Sequence, residues 1–332
     1  MTDKSPASVP VVHVLRGLTA LIITLYHFLN YTDFRGALFH PESLIRTISF
    51  GGFDAVQVFF VISGFILPWS MYGNGYQLAH YRKYITKRIL RIHPPYIVAV
   101  LLIVLLKWGF EIYNQLPLTF EPSRWIAHFF YTVPFCGFNW LNDIFWTLGI
   151  EMQYYLFIGL AFPLFRSPQI VLRFLPAIVL LGMNIVWPDA RIFSTYVVPF
   201  CIGFLLFFYK TAGLSKTELL VGSSALCFLN VILNNGNMWQ TGFIVFAFLI
   251  LFFEKPLHGS LAWLGECSYS LYLTHGLSGS MFLYFTHYHN QSTWFSSLIL
   301  LLALILSLLT ARVFWKIIEE PSRKWASCIN WR

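Results

Sequence analysis

The sequence predicts an all-α integral membrane protein of about ten transmembrane helices with both termini in the cytoplasm. Three observations predict it. The chain is 57% hydrophobic and only 11% charged, whereas soluble domains carry about 25% charged residues. Apolar runs of about 20 residues, the length that crosses a hydrocarbon core of about 30 Å, recur along its whole length. The lysines and arginines gather in alternate connections, which sets orientation.

The expected spans are about 11–31, 51–72, 94–113, 144–165, 170–187, 192–210, 217–234, 238–253, 261–286 and 294–318. The first is a retained span and not a cleavable signal. Arg16 interrupts its apolar run, and no small-residue cleavage site precedes His27. The third is expected to open at Pro94-Pro95, because proline suits the first turn of a helix. With the N-terminus in the cytoplasm, the inner loops hold Arg82, Lys83, Lys87, Arg88, Arg91, Arg166, Lys210, Lys216 and Lys255, and the tail adds Arg323, Lys324 and Arg332. The outer loops hold Arg35, Arg46, Arg124 and Arg191. Both termini on one side require an even number of spans. Residues 1–332 are expected to form a single membrane domain with no appended soluble domain, and no internal repeat is visible. The net charge of +8 is no nucleic-acid signal, since the basic residues sit between spans. The five cysteines are scattered, odd in number and without metal spacing, so they read as free thiols.

Two connections are long. Tyr76–Pro95 alternates basic and apolar residues at helical spacing and is expected to lie along the cytoplasmic interface, stopped by the two prolines. The outer connection, Asn114–Asp143, is rich in aromatics and holds short helices or dips into the bilayer beside protein.

The chemistry starts in the first span. A charged side chain at mid-bilayer costs about 2.5–3.5 kcal/mol on insertion scales, so Arg16 and His27 are expensive there. Eleven helical steps leave them roughly 20° apart around the helix and roughly 16 Å apart along it. One face thus carries a cation near one membrane surface and an imidazole far deeper. That suits a long anionic molecule with phosphates at Arg16 and its reactive end at His27. Glu151 enters the fourth span from outside, and His275 lies near or above the middle of the ninth. His27, Glu151 and His275 are therefore expected to meet in the outer half of one cavity. Burial favours neutral imidazole, which can act as a general base, and a nearby carboxylate would fix its tautomer. Glu151 reads equally as a structural hydrogen-bond acceptor. His275 likewise stands between a functional and a packing role, and His13, His128 and His258 read as packing or interfacial residues. His287 and His289 form a His-x-His pair without a third ligand, so no metal is assigned.

Arg88 and Arg91 stand three residues apart, so both guanidiniums share a helix face and can fork onto phosphate oxygens; ordinary positive-inside topology and contact with anionic lipid explain them as well. Ser63 and Gly64, in Phe59-Phe-Val-Ile-Ser-Gly-Phe65, permit close helix packing or line a narrow slot for an acyl-carrier arm. The outer aromatics are interfacial anchors or flat faces for sugar rings.

Taken in order, five segments resemble those of the acyltransferase-3 family of integral membrane acyltransferases, which includes bacterial O-antigen and exopolysaccharide O-acetyltransferases. They are Arg16 with His27, Phe59–Phe65, Arg88-Ile-Leu-Arg-Ile-His-Pro94, Trp146–Tyr155, and Ser268-Tyr-Ser-Leu-Tyr-Leu-Thr-His275. Glu320-Pro321 is similar to the family's C-terminal end. One departure is Gln57, where many relatives carry aspartate before the Phe-Phe pair; Asp54 is one turn away. The resemblance implies ten helices, acetyl-CoA or another acyl-CoA as cytosolic donor, His27 as catalytic histidine and Arg16 as a donor contact. It implies an acceptor hydroxyl on a surface glycan, a lipid-linked sugar or a small molecule, and a bacterial inner-membrane location. Direct attack with His27 as base and an acyl-histidine intermediate both fit. A glycan or lipid transporter without chemistry is the alternative from another class; it predicts broken spans at matching positions of two inverted halves, which the sequence does not display. Acceptor identity, acyl length and oligomeric state are not readable from these residues.

Overall fold

The structure, a computed structural model, describes residues 10–30, 38–40, 42–211, 213–253, 262–286 and 292–330. Arg35, Lys255, His258, His287, His289 and Arg332 lie outside the described residues. The described residues are helical, with no strand among them. The long helices are α1 (Pro10–Asn30), α2 (Val56–Gly73), α3 (Tyr81–Tyr113), α4 (Trp146–Phe165), α5 (Ile170–Val186), α6 (Val197–Thr211), α7 (Lys216–Leu233), α8 (Met238–Phe253) and α10 (Thr293–Phe314), with α9 (Ser268–His275) the longest piece of a broken segment. Seven helical stretches among the described residues are long and apolar enough to cross a membrane. The apolar helices α5 and α8 are shorter, at 17 and 16 residues. This is a membrane protein by length and composition of its helices, with seven candidate spans against the ten expected.

Local chemistry explains where several helices start. Ser215 and Glu218 form a reciprocal capping box at α7, with the Glu218 carboxylate 2.7 Å from the Ser215 amide and the Ser215 hydroxyl 3.2 Å from the Glu218 amide. At α10, the Ser292 hydroxyl accepts from the Phe295 amide at 3.3 Å. One expected boundary is absent. Pro94 and Pro95 lie inside α3, and the helix runs unbroken from the basic segment into the span. The prolines leave the Leu90 and Arg91 carbonyls without their i+4 amide donors, and packing beside them holds the helix: the Tyr269 hydroxyl donates to the neighbouring Ile92 carbonyl at 2.8 Å, and Tyr96, just past the prolines, is fully buried. Arg88 and Arg91 therefore ride on the basic extension of α3 and not on a separate interfacial helix. The connection Asn114–Asp143 holds a short helix, Pro122–Phe129, and a 3-10 turn, Val133–Cys136.

Two close crossings position the site. A Cβ built on Gly64 would sit 2.4 Å from the Phe200 carbonyl oxygen, and one on Gly203 would sit 2.5 Å from the Gly64 carbonyl carbon. The backbones of α2 and α6 touch there, as small residues permit in a membrane, where packing drives helix association. The slot imagined beside Gly64 is filled by α6; of that pair Ser63 faces open space. The second crossing is at Gly265, where a Cβ would fall 2.0 Å from the His13 carbonyl oxygen. It lays the helix Ala262–Glu266 against α1 and carries α9 alongside. A π-helical stretch, Gly276–Ser280, follows α9 directly and passes into a short α-helix, Met281–Thr286, so the helix type of the ninth apolar run changes just after His275. Aromatic rings fill the centre, with Tyr154 stacked on Phe200 at 4.1 Å and Phe60 against Phe200 at 5.1 Å.

Candidate active site

The packing of α9 on α1 brings two histidines together. The rings of His27 and His275 are 5.1 Å apart, centre to centre, inclined by 35°. His275 is buried, and its Nδ1 is 3.0 Å from the Leu271 carbonyl oxygen. A carbonyl only accepts, so Nδ1 carries the proton and Nε2 of a neutral His275 is left as an acceptor. That fixes the tautomer through the helix backbone, a role expected of a carboxylate.

Two cavities border α1. His27 lines a small cavity with Ile23, Phe53, Asp143, Trp146 and Tyr272. Arg16 lines a larger one with Ser63, Glu151, Ser268, Tyr269 and Tyr272. Val56, Thr147 and Tyr272 border both, and form the wall between them. Glu151 thus shares its cavity with Arg16 and not with His27. Its carboxylate accepts a hydrogen bond from Tyr155, one turn further along α4. The expectation that His27, Glu151 and His275 share one chamber is corrected in this way: the two histidines pair, and the carboxylate stands on the other side of the wall. The physical reason is register. Glu151 is one turn deeper along α4 than Thr147, and Thr147 is the wall residue.

The basic extension of α3 closes the Arg16 side. The Arg88 guanidinium is buried and lies 5.4 Å from the Tyr84 ring and 5.7 Å from the Tyr155 ring, cation over aromatic face. The charges of Arg16, Arg88 and Arg323 all act on half-buried Arg91. The Nε atoms of Arg16 and Arg88 are buried without a hydrogen-bond partner. Buried guanidinium donors left unsatisfied suit an anion with several oxygens, such as a phosphate. Arg323 is a residue that sequence reasoning placed only in the basic tail. It stands 4.0 Å from Glu319, which accepts from the Ser270 amide at 3.1 Å and from the Ser270 hydroxyl at 2.6 Å. Glu319 so ties the C-terminal end to α9. The one available signal was its place next to Glu320-Pro321.

Asp143, Thr147 and Tyr272 were also missed as cavity residues. Thr147 and Tyr272 lie within motifs already singled out, but nothing in one sequence says that they face each other. Asp54 donates nothing to the site; its carboxylate accepts from the Asn237 amide at 3.1 Å and ties the start of α2 to that of α8. On the other side of Trp146 lies a third cavity, bounded by Tyr131, Trp140, Trp146, Gln153, Arg191 and Tyr196. His128, in the helix Pro122–Phe129, is a packing residue. Its Nε2 accepts from the Leu141 amide at 3.3 Å and its Nδ1 pairs with the Tyr96 hydroxyl at 2.9 Å. Burial, with Arg124 nearby, pushes its pKa down to about 4, so it is neutral.

The sequence model of the acyltransferase-3 family, described as an acyltransferase domain, matches residues 10–312 of this chain. No curated protein and no solved structure matches it. The matched stretch begins with α1 and contains both cavities, the histidine pair and the basic extension of α3.

Proposed function

The chain belongs to the acyltransferase-3 family, and we propose that it is a membrane O-acyltransferase moving an acetyl or related acyl group from cytosolic acyl-CoA to a hydroxyl of a surface polysaccharide or lipid-linked sugar in the bacterial inner membrane. That the protein is an acyltransferase follows from the family. The observation that carries the finer reading is the pair of adjoining cavities on one helix, with Arg16 in one and His27 in the other. The partnerless buried Nε atoms of Arg16 and Arg88 suit the phosphates of an acyl-CoA, so these two are its proposed contacts, with Arg91 beside them in the cationic cluster. Ser63 faces the path of the pantetheine arm, and Gly64 serves by letting α2 approach α6.

In this reading His27 is the general base. It takes the proton of the acceptor hydroxyl, the alkoxide attacks the thioester carbonyl, and the CoA thiolate leaves and is protonated by the imidazolium. His275, with Nδ1 held by Leu271, offers Nε2 to orient the His27 ring. Glu151 acts on the donor side, where it balances the cationic cluster. The acceptor approaches through the aromatic third cavity, whose flat faces suit sugar rings. CoA is too polar to cross the bilayer, so the donor and the acceptor reach one site by two entrances.

Oriented vesicles test this. Labelled acetyl-CoA is supplied only on the face carrying Arg88 and Arg91, and a lipid-linked glycan fraction only on the opposite face. Labelled glycan is the expected result. Product that forms only when both substrates share the basic face overturns the two-entrance reading.

A further inference from the structure

The wall between the cavities is made by Val56, Thr147 and Tyr272. Two of these carry hydroxyls, and both hydroxyls converge on a single backbone oxygen. The Tyr272 hydroxyl donates to the Ile144 carbonyl at 2.9 Å, and the Thr147 hydroxyl donates to the same carbonyl at 3.0 Å. The two hydroxyl oxygens are 2.8 Å apart. The carbonyl is itself held in a 3-10 turn, Asp143–Phe145, capped by the Asn142 side chain, which accepts from the Ile144 amide at 3.2 Å.

The two hydroxyls are also within hydrogen-bond distance of each other, so two protons serve three contacts, and each hydroxyl can donate to the carbonyl or to its neighbour. A buried acceptor that loses its only donor costs about 1–3 kcal/mol. Here the Ile144 carbonyl keeps one donor if either hydroxyl turns away. Tyr272 is the better candidate to turn. A phenol, with an ordinary pKa near 10, is a stronger donor to a developing anion than an aliphatic alcohol. Its ring is also fixed in place. Phe59 packs edge-on against it at 6.1 Å, and His275 follows it on the same helix face, with ring centres 6.3 Å apart.

We propose that Tyr272 is a catalytic residue that stabilises the oxyanion of the reacting thioester, with Thr147 as the positioning residue that frees it. This rests on the acyl-transfer reading above. The acyl carbon must pass from the Arg16 side to the His27 side, and the wall is where it crosses. As the acceptor oxygen bonds to the carbonyl carbon, the carbonyl π pair moves onto oxygen. The Tyr272 hydroxyl swings from Ile144 to that oxygen and donates a hydrogen bond without giving up its proton. Thr147 keeps its hydrogen bond to the Ile144 carbonyl. When the tetrahedral centre collapses, the C=O bond re-forms, the C–S bond breaks, and the CoA sulfur takes the proton held by His27. Tyr272 then returns to the Ile144 carbonyl. Acyl thioester and alcohol become ester and thiol, with no other reactant.

The test is steady-state kinetics of purified protein in detergent, with acetyl-CoA as donor, a lipid-linked glycan fraction as acceptor and free CoA thiol as readout. Tyr272→Phe keeps the ring and its packing. It should lower kcat by about 10²–10³, the usual cost of one oxyanion donor, with KM for acetyl-CoA and thermal stability unchanged. Thr147→Val should lower kcat by less, because Tyr272 must then leave the carbonyl bare; Thr147→Ser should restore it. The double variant should be no slower than Tyr272→Phe alone. A Tyr272→Phe enzyme within fivefold of wild-type kcat overturns the proposal. If Tyr272→Phe does not fold, Thr147→Val decides: an unchanged kcat, or a loss that Thr147→Ser does not restore, overturns it. His27→Ala is assayed in parallel. An active His27→Ala enzyme beside a slow Tyr272→Phe enzyme refutes the base and keeps the oxyanion donor, while the reverse pattern does the opposite. A wild-type protein that releases no CoA overturns the acyl-transfer reading and this inference with it.

Discussion

The two cavities along α1 differ in the chemistry of their walls. The Arg16 cavity gathers a guanidinium, the Glu151 carboxylate and the hydroxyls of Ser63 and Ser268, and stands beside the cationic cluster of Arg88, Arg91 and Arg323. The His27 cavity is smaller and lined by Phe53, Trp146 and Tyr272, with Asp143 as its carboxylate. The difference teaches that one helix can serve two electrostatic tasks about three turns apart. Fixed charges attract a polyanion, and they work best where several can converge. Proton transfer and a developing oxyanion gain most where water is excluded and the surroundings polarise weakly. A wall carrying two hydroxyls separates the cations from His27.

If this division holds, damage on each side should read out differently. The largest effect is expected at His27. His27→Ala should lower kcat by about 10²–10⁴ at an unchanged KM for acyl-CoA, the usual share of a general base. His27→Gln should be as slow, since an amide has no basic nitrogen. Turnover by a well-expressed variant at the wild-type rate would remove His27 from the chemistry.

Next come the cations. Arg88→Ala or Arg91→Ala should raise the apparent dissociation constant for acyl-CoA roughly ten- to a hundredfold, the cost of about 1.5–3 kcal/mol for a lost charged hydrogen bond. Saturated turnover should change little. Lysine should restore only part, because it lacks the bidentate fork. Acyl-CoA titration in detergent measures it; a loss of kcat without loss of affinity would break the contrast between the two cavities.

A smaller effect is expected at the crossing that sets Ser63 in place. Gly64→Ala puts a methyl against the Phe200 backbone, where overpacking costs about 1–3 kcal/mol. The unfolding temperature in detergent should fall, and Gly203→Ala should behave alike. No change at either would mean that the α2–α6 contact is looser than described.

The smallest effect is a pH dependence, which separates a packing histidine from a working one. The His128 pKa is about 4 in the fold, below its ordinary 6.5. The unfolded chain therefore binds more protons between these values. The contribution is full above about pH 6.5 and is lost as pH falls toward 4. Thermal stability should decline across that window, and His128→Gln should flatten the decline while leaving turnover at neutral pH intact. An equally steep decline in His128→Gln would place the titration elsewhere.

The helical membrane class, the family resemblance and the Arg16–His27 alignment were legible in the sequence, because hydropathy and a 3.6-residue period are local properties. So was the shared face of Arg88 and Arg91. Helix continuity through Pro94-Pro95 was not, since it depends on what packs alongside, Tyr269 among it. The partition of Glu151 from His27 was not either. Both residues were placed at similar depth, but Glu151 lies one turn past Thr147, and a single sequence does not show that the wall falls at Thr147. The register between helices is set by crossings such as Gly64 on Phe200 and Gly265 on His13, which involve residues far apart in the chain. By itself the sequence determined which residues are costly enough in a membrane to need a reason, through the free energy of burying charge. Only the tertiary structure decided which of them meet: a histidine pair on one side of a hydroxyl wall and a cationic cluster on the other, because side-chain neighbours follow from how helices pack and not from where each residue sits along its own.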